Sequence, residues 1–533
     1  MQTFDFVIIG AGSAGCCLAN RLSIDKTKSV CLIEAGPNDN DIRIKIPIGL
    51  VSLMKHPRFN WLYTSTPQTQ LKHQSIPIPR GKTLGGSSSI NSMVYIRGRA
   101  SDYDRWSELG CTGWDWQAVL PYFKRSEQNM RLGSDPLHGD NGPLYVEDPP
   151  SPNFLCNVFT AAGVEIGIPS NNDFNGEIQE GLGTYQLNMH NGSRWSSADA
   201  FLKPVLKHPN LEVITNAEVK VINFNNKRAE SIIIKKGNNL EKINVHSEVI
   251  LCAGSIGTPT ILLQSGVGPA IQLHNLEINV IHDLPGVGEN LHDHPAIPIH
   301  FSAPSVGYGV TFKTMPSILF SSLEYLLKRR GLLTSNTVEA GGFARTNKNI
   351  SEPDIQFHFI PARVGHQGSS IVWGRGYYSD VCLLKPTSRG RLWLEKIDGE
   401  YQPQIDPNLL ADIDDKHTLT DGFKILRQLL KAKPFRRYNP VEICPGDKIK
   451  TDKDITDYVL SHLGTAYHLV GTCRMGSAND HQTVVTPDLK IKGLENIRVA
   501  DASIMPEIVA GNTNAPTIMI AEKASDLILD NRQ

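Results

Sequence analysis

The sequence lacks most of the features that would assign a long chain to a class at once. It has no apolar run approaching the ~18–20 residues of a membrane-spanning helix, so none is expected. Its formal net charge is −1 at pH 7, and no basic tract accumulates, which argues against a nucleic-acid partner. The nine cysteines, at 16, 17, 31, 111, 156, 252, 382, 444 and 473, form no C-x-x-C pair and are odd in number. That usage suits reduced thiols and a cytoplasmic location. Cys16, Cys31 and Cys252 read as small core hydrophobes. No basic segment leading into an apolar core precedes the first strand, so no secretory signal is expected. Internal repeats and low-complexity tracts are also missing. What remains is a 533-residue chain with 40% hydrophobic and 20% charged residues, ordinary for a globular protein and long enough for two or more domains.

The first residues carry a complete dinucleotide-binding unit. Phe4-Asp5-Phe6-Val7-Ile8-Ile9 reads as a buried strand and runs into Gly10-Ala11-Gly12-Ser13-Ala14-Gly15, a G-x-G-x-x-G. A helical pattern follows through Leu18, Ala19 and Leu22, then a second strand, Val30-Cys31-Leu32-Ile33, that ends at Glu34. Gly10 is expected to turn the chain out of the strand, Gly12 to let a pyrophosphate approach the backbone, and Gly15 to let the helix close on the sheet. The helix N-terminus, with Ser13 and Ala14, offers free N–H groups to phosphates. Glu34 suits the adenosine ribose hydroxyls and disfavours a 2′-phosphate, so NADP is not expected. The unit alone leaves FAD and NAD both open.

Similar strand–glycine–helix patterns recur at Val249–Gly254 with Thr258–Leu263, and at Asn496–Asp501 with Ala515–Ala521. Nucleotide-domain elements therefore lie at the start, middle and end of the chain. An α/β, Rossmann-like domain assembled from discontinuous segments is expected over 1–155, 205–300 and 455–533. The segments 156–204 and 301–454 would form a second, substrate-binding domain. There, residues 355–360 and 391–394 alternate apolar and polar, which suits a mostly antiparallel sheet covered by helices. Residues 315–333, with Ile318, Leu319, Leu323, Leu326 and Leu327 ahead of Lys328-Arg329-Arg330, read as an amphipathic helix. Its bland role is to cover the sheet; its sharper role is contact with a membrane surface.

Three further motifs identify a family. Gly81-Lys82-Thr83-Leu84-Gly85-Gly86-Ser87-Ser88-Ser89-Ile90-Asn91, then Gly254-Ser255-Ile256-Gly257-Thr258-Pro259 through Gly268, then Tyr467-His468 through Gly476 with Asp501–Pro506 and Gly511–Pro516, occur in order along the chain. The whole resembles the glucose–methanol–choline (GMC) flavoprotein oxidoreductases. The wording around Arg80-Gly81-Lys82, Glu339–Phe343 and Gly511–Asn514 is similar to the bacterial alcohol dehydrogenase and choline dehydrogenase branch. The resemblance implies FAD, with Leu84, Gly85, Gly86, Asn91, Ser92, Met93 and Val94 around the flavin and pyrophosphate. It also implies Val219 at the adenine and Asp501 near the ribityl–pyrophosphate part. Ile90 stands where some members attach FAD covalently through a histidine, so the FAD is expected to be non-covalent.

Oxidising an alcohol requires a base for the hydroxyl proton and a hydride acceptor at the adjacent carbon. By the resemblance, His468 is the base and Asn512 its orienting partner, since an amide can hold the oxygen but not take the proton. Many members have proline after this histidine; Leu469 here leaves the loop less constrained. Glu339 matches an acid that faces the ammonium group in choline-oxidising relatives, and a structural role for it is as strong a reading. His292 and His294 share a period of two but lack further ligands at suitable spacing, so no metal is assigned. The expected reaction is FAD-dependent oxidation of a primary alcohol, aliphatic or aromatic, with a quinone or respiratory-chain acceptor and with peripheral contact on the inner face of a membrane. Choline dehydrogenation is the nearest alternative, an O₂-using oxidase a second, and an FAD-binding protein without turnover a third.

Overall fold

The computed structural model describes residues 2–312, 314–365 and 372–530, without the side chains of 315–319. A seven-stranded sheet forms the first layer. Its parallel strands lie in the spatial order Leu211–Ile214, Val30–Ile33, Gln2–Ile9, Asn239–Leu251, Ile497–Val499. The register sets Ile8 opposite both Ile250 and Leu32. These strands are near-continuous runs of Val, Ile and Leu because both faces are covered, as parallel sheets require. The first half of Asn239–Leu251 also pairs with Arg228–Lys236, which pairs with Ala217–Asn225; both pairings are antiparallel.

The helices Ser13–Leu22 and Asn514–Asp530 pack against each other beside this sheet. Between them the buried Glu522 carboxylate accepts from Arg21 at 2.7 Å and from Arg125 at 2.8 Å. A carboxylate out of water needs such partners, and two guanidinium groups supply them. The first and last segments of the chain are thereby tied together. The parallel strands end on one side of the sheet, at Ile9, Ile33, Leu251 and Val499; the loops that follow hold Gly10, Glu34 and Asp501, and Gly254 opens the helix after the third. In open α/β sheets this is the side on which ligands bind.

The second layer is an eight-stranded antiparallel sheet in the order Val441–Cys444, Pro295–Ser302, Gly374–Leu383, Ile355–Ile360, Ala340–Ala344, Gly181–Thr184, with Gly309–Val310 and Gly464–Thr465 attached. One face is apolar. Ile297, Ile299, Phe301, Phe357, Phe359, Tyr377 and Val381 share a core with Leu419, Phe423, Leu426 and Leu430 of the helix Ile413–Leu430. The opposite face presents Pro298, His358, Ile360, Tyr378 and Asp380 to an internal cavity. The alternation at 355–360 is therefore real, yet all six residues are buried. Of its polar members, His358 lines the cavity and Gln356 is buried against Tyr185 and Asn512.

Two stretches take places their pattern alone does not dictate. Among the described residues, Arg391–Ile397 pairs as a strand only with Glu400–Asp406, and Leu392, Leu394 and Ile405 of this hairpin join the core of the first sheet. The helix at Met315–Lys328 ends where Arg329 turns left-handed. Leu323, Leu326 and Leu327 on it are exposed, so this part of the helix covers no sheet. The side chains of Ile318 and Leu319 lie outside the described residues.

Candidate active site

One cavity of about 920 Å³ runs from the ends of the parallel strands to the polar face of the second sheet. That is near the top of the ~300–1,000 Å³ range of small-molecule sites. At the first end, Gly10 has φ +99° and sits so close to Cys252 that a Cβ would fall 2.6 Å from its carbonyl oxygen. A Cβ on Gly15 would lie 1.9 Å from the Gly10 oxygen, so the helix can close on the strand only with glycine there. Gly12 differs. A Cβ there would meet nothing in the protein nearer than 3.9 Å, and the residue lines the cavity with Ser13 and Ala14. The protein's own packing does not require glycine at that point, and the bare backbone there faces the cavity. Gly86 lines the same spot and would collide with the Gly12 Cα if it carried a Cβ.

Glu34 is buried, with one oxygen accepting from the Ala11 N–H at 3.0 Å and the other from the Gly36 N–H at 2.9 Å. Burial pushes its carboxyl up to about 7 despite these bonds. Each oxygen keeps a lone pair for a ribose hydroxyl, and such bonds would favour the ionised form. Asp501 is also buried. It accepts from the Gly254 N–H and the Thr258 hydroxyl on one oxygen, and from the Ser503 N–H and hydroxyl on the other. Burial raises its carboxyl above the usual range. It clamps the N-terminus of the helix Gly254–Gln264 to the loop after Ile497–Val499.

At the far end, His468 Nε2 lies 3.1 Å from Asn512 Nδ2. His468 Nδ1 lies 2.9 Å from His294 Nδ1, with the rings nearly perpendicular. Each pair of facing nitrogens needs one donor and one acceptor. The Asn512 amide donates to Nε2, so His468 carries its proton on Nδ1 and donates it to His294. This tautomer leaves a basic Nε2 facing the cavity. Burial holds His468 well below its ordinary pKa of 6.5, and burial likewise lowers His294 to about 3. Both rings are neutral near pH 7.

The backbone around His468 is held under strain. Tyr467, just before it, has φ +63°, unusual for a bulky residue. Three bonds over-determine the conformation. Arg80 donates to the Tyr467 carbonyl at 2.7 Å, and the Asp293 carboxylate accepts from the His468 N–H at 2.6 Å and the His294 N–H at 2.8 Å. Burial raises the Asp293 carboxyl to about 6, opposed by the charge of Arg80.

The cavity brings together most residues that the sequence singles out: Gly10, Gly12, Ser13, Ala14, Glu34, Gly86, Asn91, Ser92, Met93, Val94, Val219, Asp501, His468 and Asn512. Gly15, Leu84 and Gly85 stand behind its wall; Gly85 donates to the Ala11 carbonyl at 2.7 Å and so fixes one glycine loop to the other. Glu339 is turned away from the cavity. It is buried where it accepts from the Asn153 N–H at 2.6 Å, from the Ser335 hydroxyl and from the Cys156 thiol, and stitches neighbouring loops together. The two histidines of 292–294 diverge: His292 Nε2 meets Asn290 Oδ1 at 3.0 Å, whereas His294 serves His468. Gln356 escaped the sequence reading. Its amide donates to Asn512 Oδ1 at 3.2 Å and thereby turns the Asn512 amino group toward His468. Its place in an alternating strand is the one signal that marked it.

The chain as a whole has counterparts among known proteins. GMC oxidoreductase family models match residues 4–296 and 386–521, which is most of the chain. The chain belongs to the GMC oxidoreductases. Among curated relatives of this oxidoreductase is alcohol dehydrogenase [acceptor] from Pseudomonas putida, 45% identical over 99% of this chain and 96% of that one. Oxygen-dependent choline dehydrogenase from Sinorhizobium fredii is 40% identical over 98% of this chain and 95% of that one. Among solved structures, pyridoxine 4-oxidase from Mesorbium loti superposes with TM-score 0.87 at 28% identity, covering 98% of each chain. A variant of Aspergillus oryzae formate oxidase, studied for FAD modification, gives 0.90 at 27% identity over 100% of this chain and 99% of that one.

Two predictions come from this geometry. A base works only when unprotonated, and burial lowers the His468 pKa, so the competent form is complete at neutral pH and is lost only as pH falls below 6.5. The rate of cofactor reduction by substrate should be flat from about pH 7 upward and decline on the acid side of 6.5. A limb centred above about pH 7 would contradict the assignment. Gln356→Leu should release the Asn512 amide and slow reduction by roughly 2- to 10-fold, the worth of one neutral hydrogen bond. An unchanged rate in rapid-mixing experiments would show that Gln356 orients nothing.

Proposed function

We propose that this protein is an FAD-dependent alcohol dehydrogenase. It oxidises a primary alcohol, aliphatic or aromatic, to the aldehyde and passes the electrons to a quinone or another non-NAD acceptor. The observation that carries the reading is the buried, neutral His468 Nε2 beside the Asn512 amide, facing a cavity continuous with a dinucleotide cradle. The name of the Pseudomonas putida relative, which leaves the acceptor open, supports the same class.

The cradle fits FAD. Gly12, Ser13 and Ala14, which line the cavity, would offer backbone N–H groups to the pyrophosphate, Glu34 would offer carboxylate oxygens to the ribose, and Val219 would lie against the adenine. Gly86 and Asn91–Val94 line the wall toward the flavin end, and Asp501 holds the loop between them. Ile90 also lines the cavity and offers no nucleophile for a covalent link, so we take FAD to be non-covalently bound. When bound, FAD supplies the acceptor for the hydride from the carbinol carbon.

The chain itself moves the proton. His468 Nε2 accepts the hydroxyl proton while Nδ1–H stays with His294. As the substrate enters, the Asn512 amino group, oriented by Gln356, transfers its hydrogen bond from Nε2 to the substrate oxygen, which frees the Nε2 lone pair and stabilises the negative charge that gathers on that oxygen. Burial makes the resulting imidazolium unfavourable, so His468 releases the proton to solvent through the partly open cavity and is reset.

The position of Glu339, outside the cavity, favours neutral alcohols over choline. The second reading, choline dehydrogenase, draws on the 40% identical relatives and on Asp380, a carboxylate on the roof near His468 that is already paired with His358 at 2.9 Å.

We further propose that the helix Met315–Lys328 rests on a membrane surface. No described helix is long and apolar enough to cross a membrane. This one exposes Phe320, Leu323, Leu326 and Leu327 beside Lys328, Arg329 and Arg330, and Phe312 and Trp373 stand exposed and stacked edge to face. Apolar side chains next to cations suit an anionic lipid surface.

His468→Ala should keep its FAD and lose ~10²–10⁴-fold in the rate of flavin reduction, the worth of a positioned base. An unchanged rate would remove His468 from the chemistry. Co-sedimentation with vesicles containing phosphatidylserine should fall when Leu326 and Leu327 are replaced by glutamate. Equal pelleting of both proteins, or none by either, would contradict membrane contact.

A further inference from the structure

The roof of the substrate end carries a side-chain group that the alcohol chemistry does not use. His358 on Ile355–Ile360 lies directly opposite Asp380 on Gly374–Leu383, and Cys382 follows two residues later, so all three project from one face. His358 Nδ1 is 2.9 Å from Asp380 Oδ1, Cys382 Sγ is 3.5 Å from His358 Nδ1, and Sγ is 3.7 Å from the same Asp380 oxygen. Cys382 and His358 are buried, while Asp380 is partly open to the cavity. Among the described residues, this is the one group of three or more His, Cys, Asp or Glu side chains whose donor atoms converge closely enough to hold an ion.

We propose that His358, Asp380 and Cys382 bind one zinc-class divalent cation, with its fourth coordination position directed at the substrate end of the cavity. The edges of the donor triangle carry the argument. Bonds of ~2.0–2.1 Å to nitrogen or oxygen and ~2.3 Å to sulfur, arranged tetrahedrally, separate the donors by about 3.3–3.6 Å. The two edges to sulfur, at 3.5 and 3.7 Å, are already near that value. The nitrogen–oxygen edge, at 2.9 Å, needs to open by only about 0.4 Å as an ion replaces the shared proton. Two hydrogen-bonded neighbouring strands fix the donors, and the Ser379 hydroxyl ties the His358 carbonyl across them at 2.8 Å. An imidazole, a carboxylate and a thiol together select zinc-like ions over magnesium or calcium, which take oxygen ligands.

The charges balance. The carboxylate and the thiolate together neutralise a dipositive ion. The ion forms one bond each to nitrogen, oxygen and sulfur; the His358 ring proton moves from Nδ1 to Nε2, so the imidazole stays neutral, and the Cys382 thiol proton leaves to solvent without any change of oxidation state. Three protein ligands leave a fourth position open, as at catalytic rather than structural zinc sites. A charge at His358 is felt at His468, so an ion here sits within electrostatic reach of the base. It also narrows the space that a substrate would enter. Alcohol oxidation is therefore expected to be inhibited reversibly by zinc; this clause, unlike the binding itself, rests on the proposed function.

The test uses the purified holoenzyme with Zn²⁺ and Co²⁺ as probes. Equilibrium dialysis with elemental analysis should find one ion per chain. Bound Co²⁺ should give the intense visible bands of a tetrahedral thiolate site, at wavelengths beyond the flavin absorption. Cys382→Ser should keep its flavin spectrum and lose zinc affinity by more than the roughly 10–100-fold that the loss of an outer partner costs. Cys444→Ser, which removes the more exposed thiol, should bind as the parent does. Zinc-edge X-ray absorption on the unaltered protein should show one sulfur and two protein nitrogen or oxygen ligands, and this stands even if the Cys382 variant does not fold. Absence of stoichiometric binding, a zinc shell without sulfur, or binding unchanged in Cys382→Ser would each overturn the proposal. If binding holds but zinc leaves alcohol oxidation unaffected, the site stands and its link to the substrate cavity falls.

Discussion

Keeping His468 uncharged inside the protein is the constraint on which the rest of the site depends. An imidazole in water is half protonated near pH 6.5 and would be a poor base below that. Burial against the second sheet disfavours the imidazolium and so keeps Nε2 unprotonated at neutral pH. The same burial makes every unpaired polar atom expensive. Hence His294 accepts a hydrogen bond from Nδ1, Asn512 meets Nε2, Gln356 holds Asn512, and Asp293 takes the His468 N–H that the strained Tyr467 turn would otherwise orphan, together with the N–H of its own neighbour His294.

That arrangement exists only where two differently built sheets meet. The parallel sheet supplies chain ends, all on one side, with glycines where the backbone must be bare and carboxylates where N–H groups cluster. The antiparallel sheet supplies a rigid roof whose apolar face is buried under helices and whose polar face is reserved for the cavity. Neither sheet contains a complete site. His468 and Asn512 come from loops near the C-terminal end of the chain, Gln356 from the roof, and the cradle largely from the first hundred residues.

How much of this is legible in the sequence follows from how local each signal is. The glycine triplet and the acid after the second strand sit in one short contiguous stretch, so chemistry and spacing suffice to find them, whereas His468 and Asn512 are singled out by the resemblance of their short motifs to a family. Gln356 and His294 act through contacts between segments far apart in the chain, and an alternating strand cannot say whether its polar face meets water or a cavity. The 355–360 strand shows the ambiguity directly, because both of its faces are buried. Glu339 carries a suggestive local wording, yet its carboxylate is consumed by Asn153, Ser335 and Cys156, a fact set entirely by packing. The hairpin 391–406 shares the alternation of the large sheet but joins the other core, because periodicity specifies a strand and not its partner.

The central claim is that the cavity turns a neutral alcohol over against a buried, uncharged base. Anaerobic flavin bleaching tests it most directly, with the purified protein mixed in turn with octanol, benzyl alcohol, ethanol and choline. The account predicts rapid loss of the oxidised flavin spectrum with the longer neutral alcohols and little with choline. Bleaching by choline alone would contradict the substrate assignment and turn attention to Asp380 as a cation partner, and bleaching by none of the four would contradict the proposed alcohol chemistry.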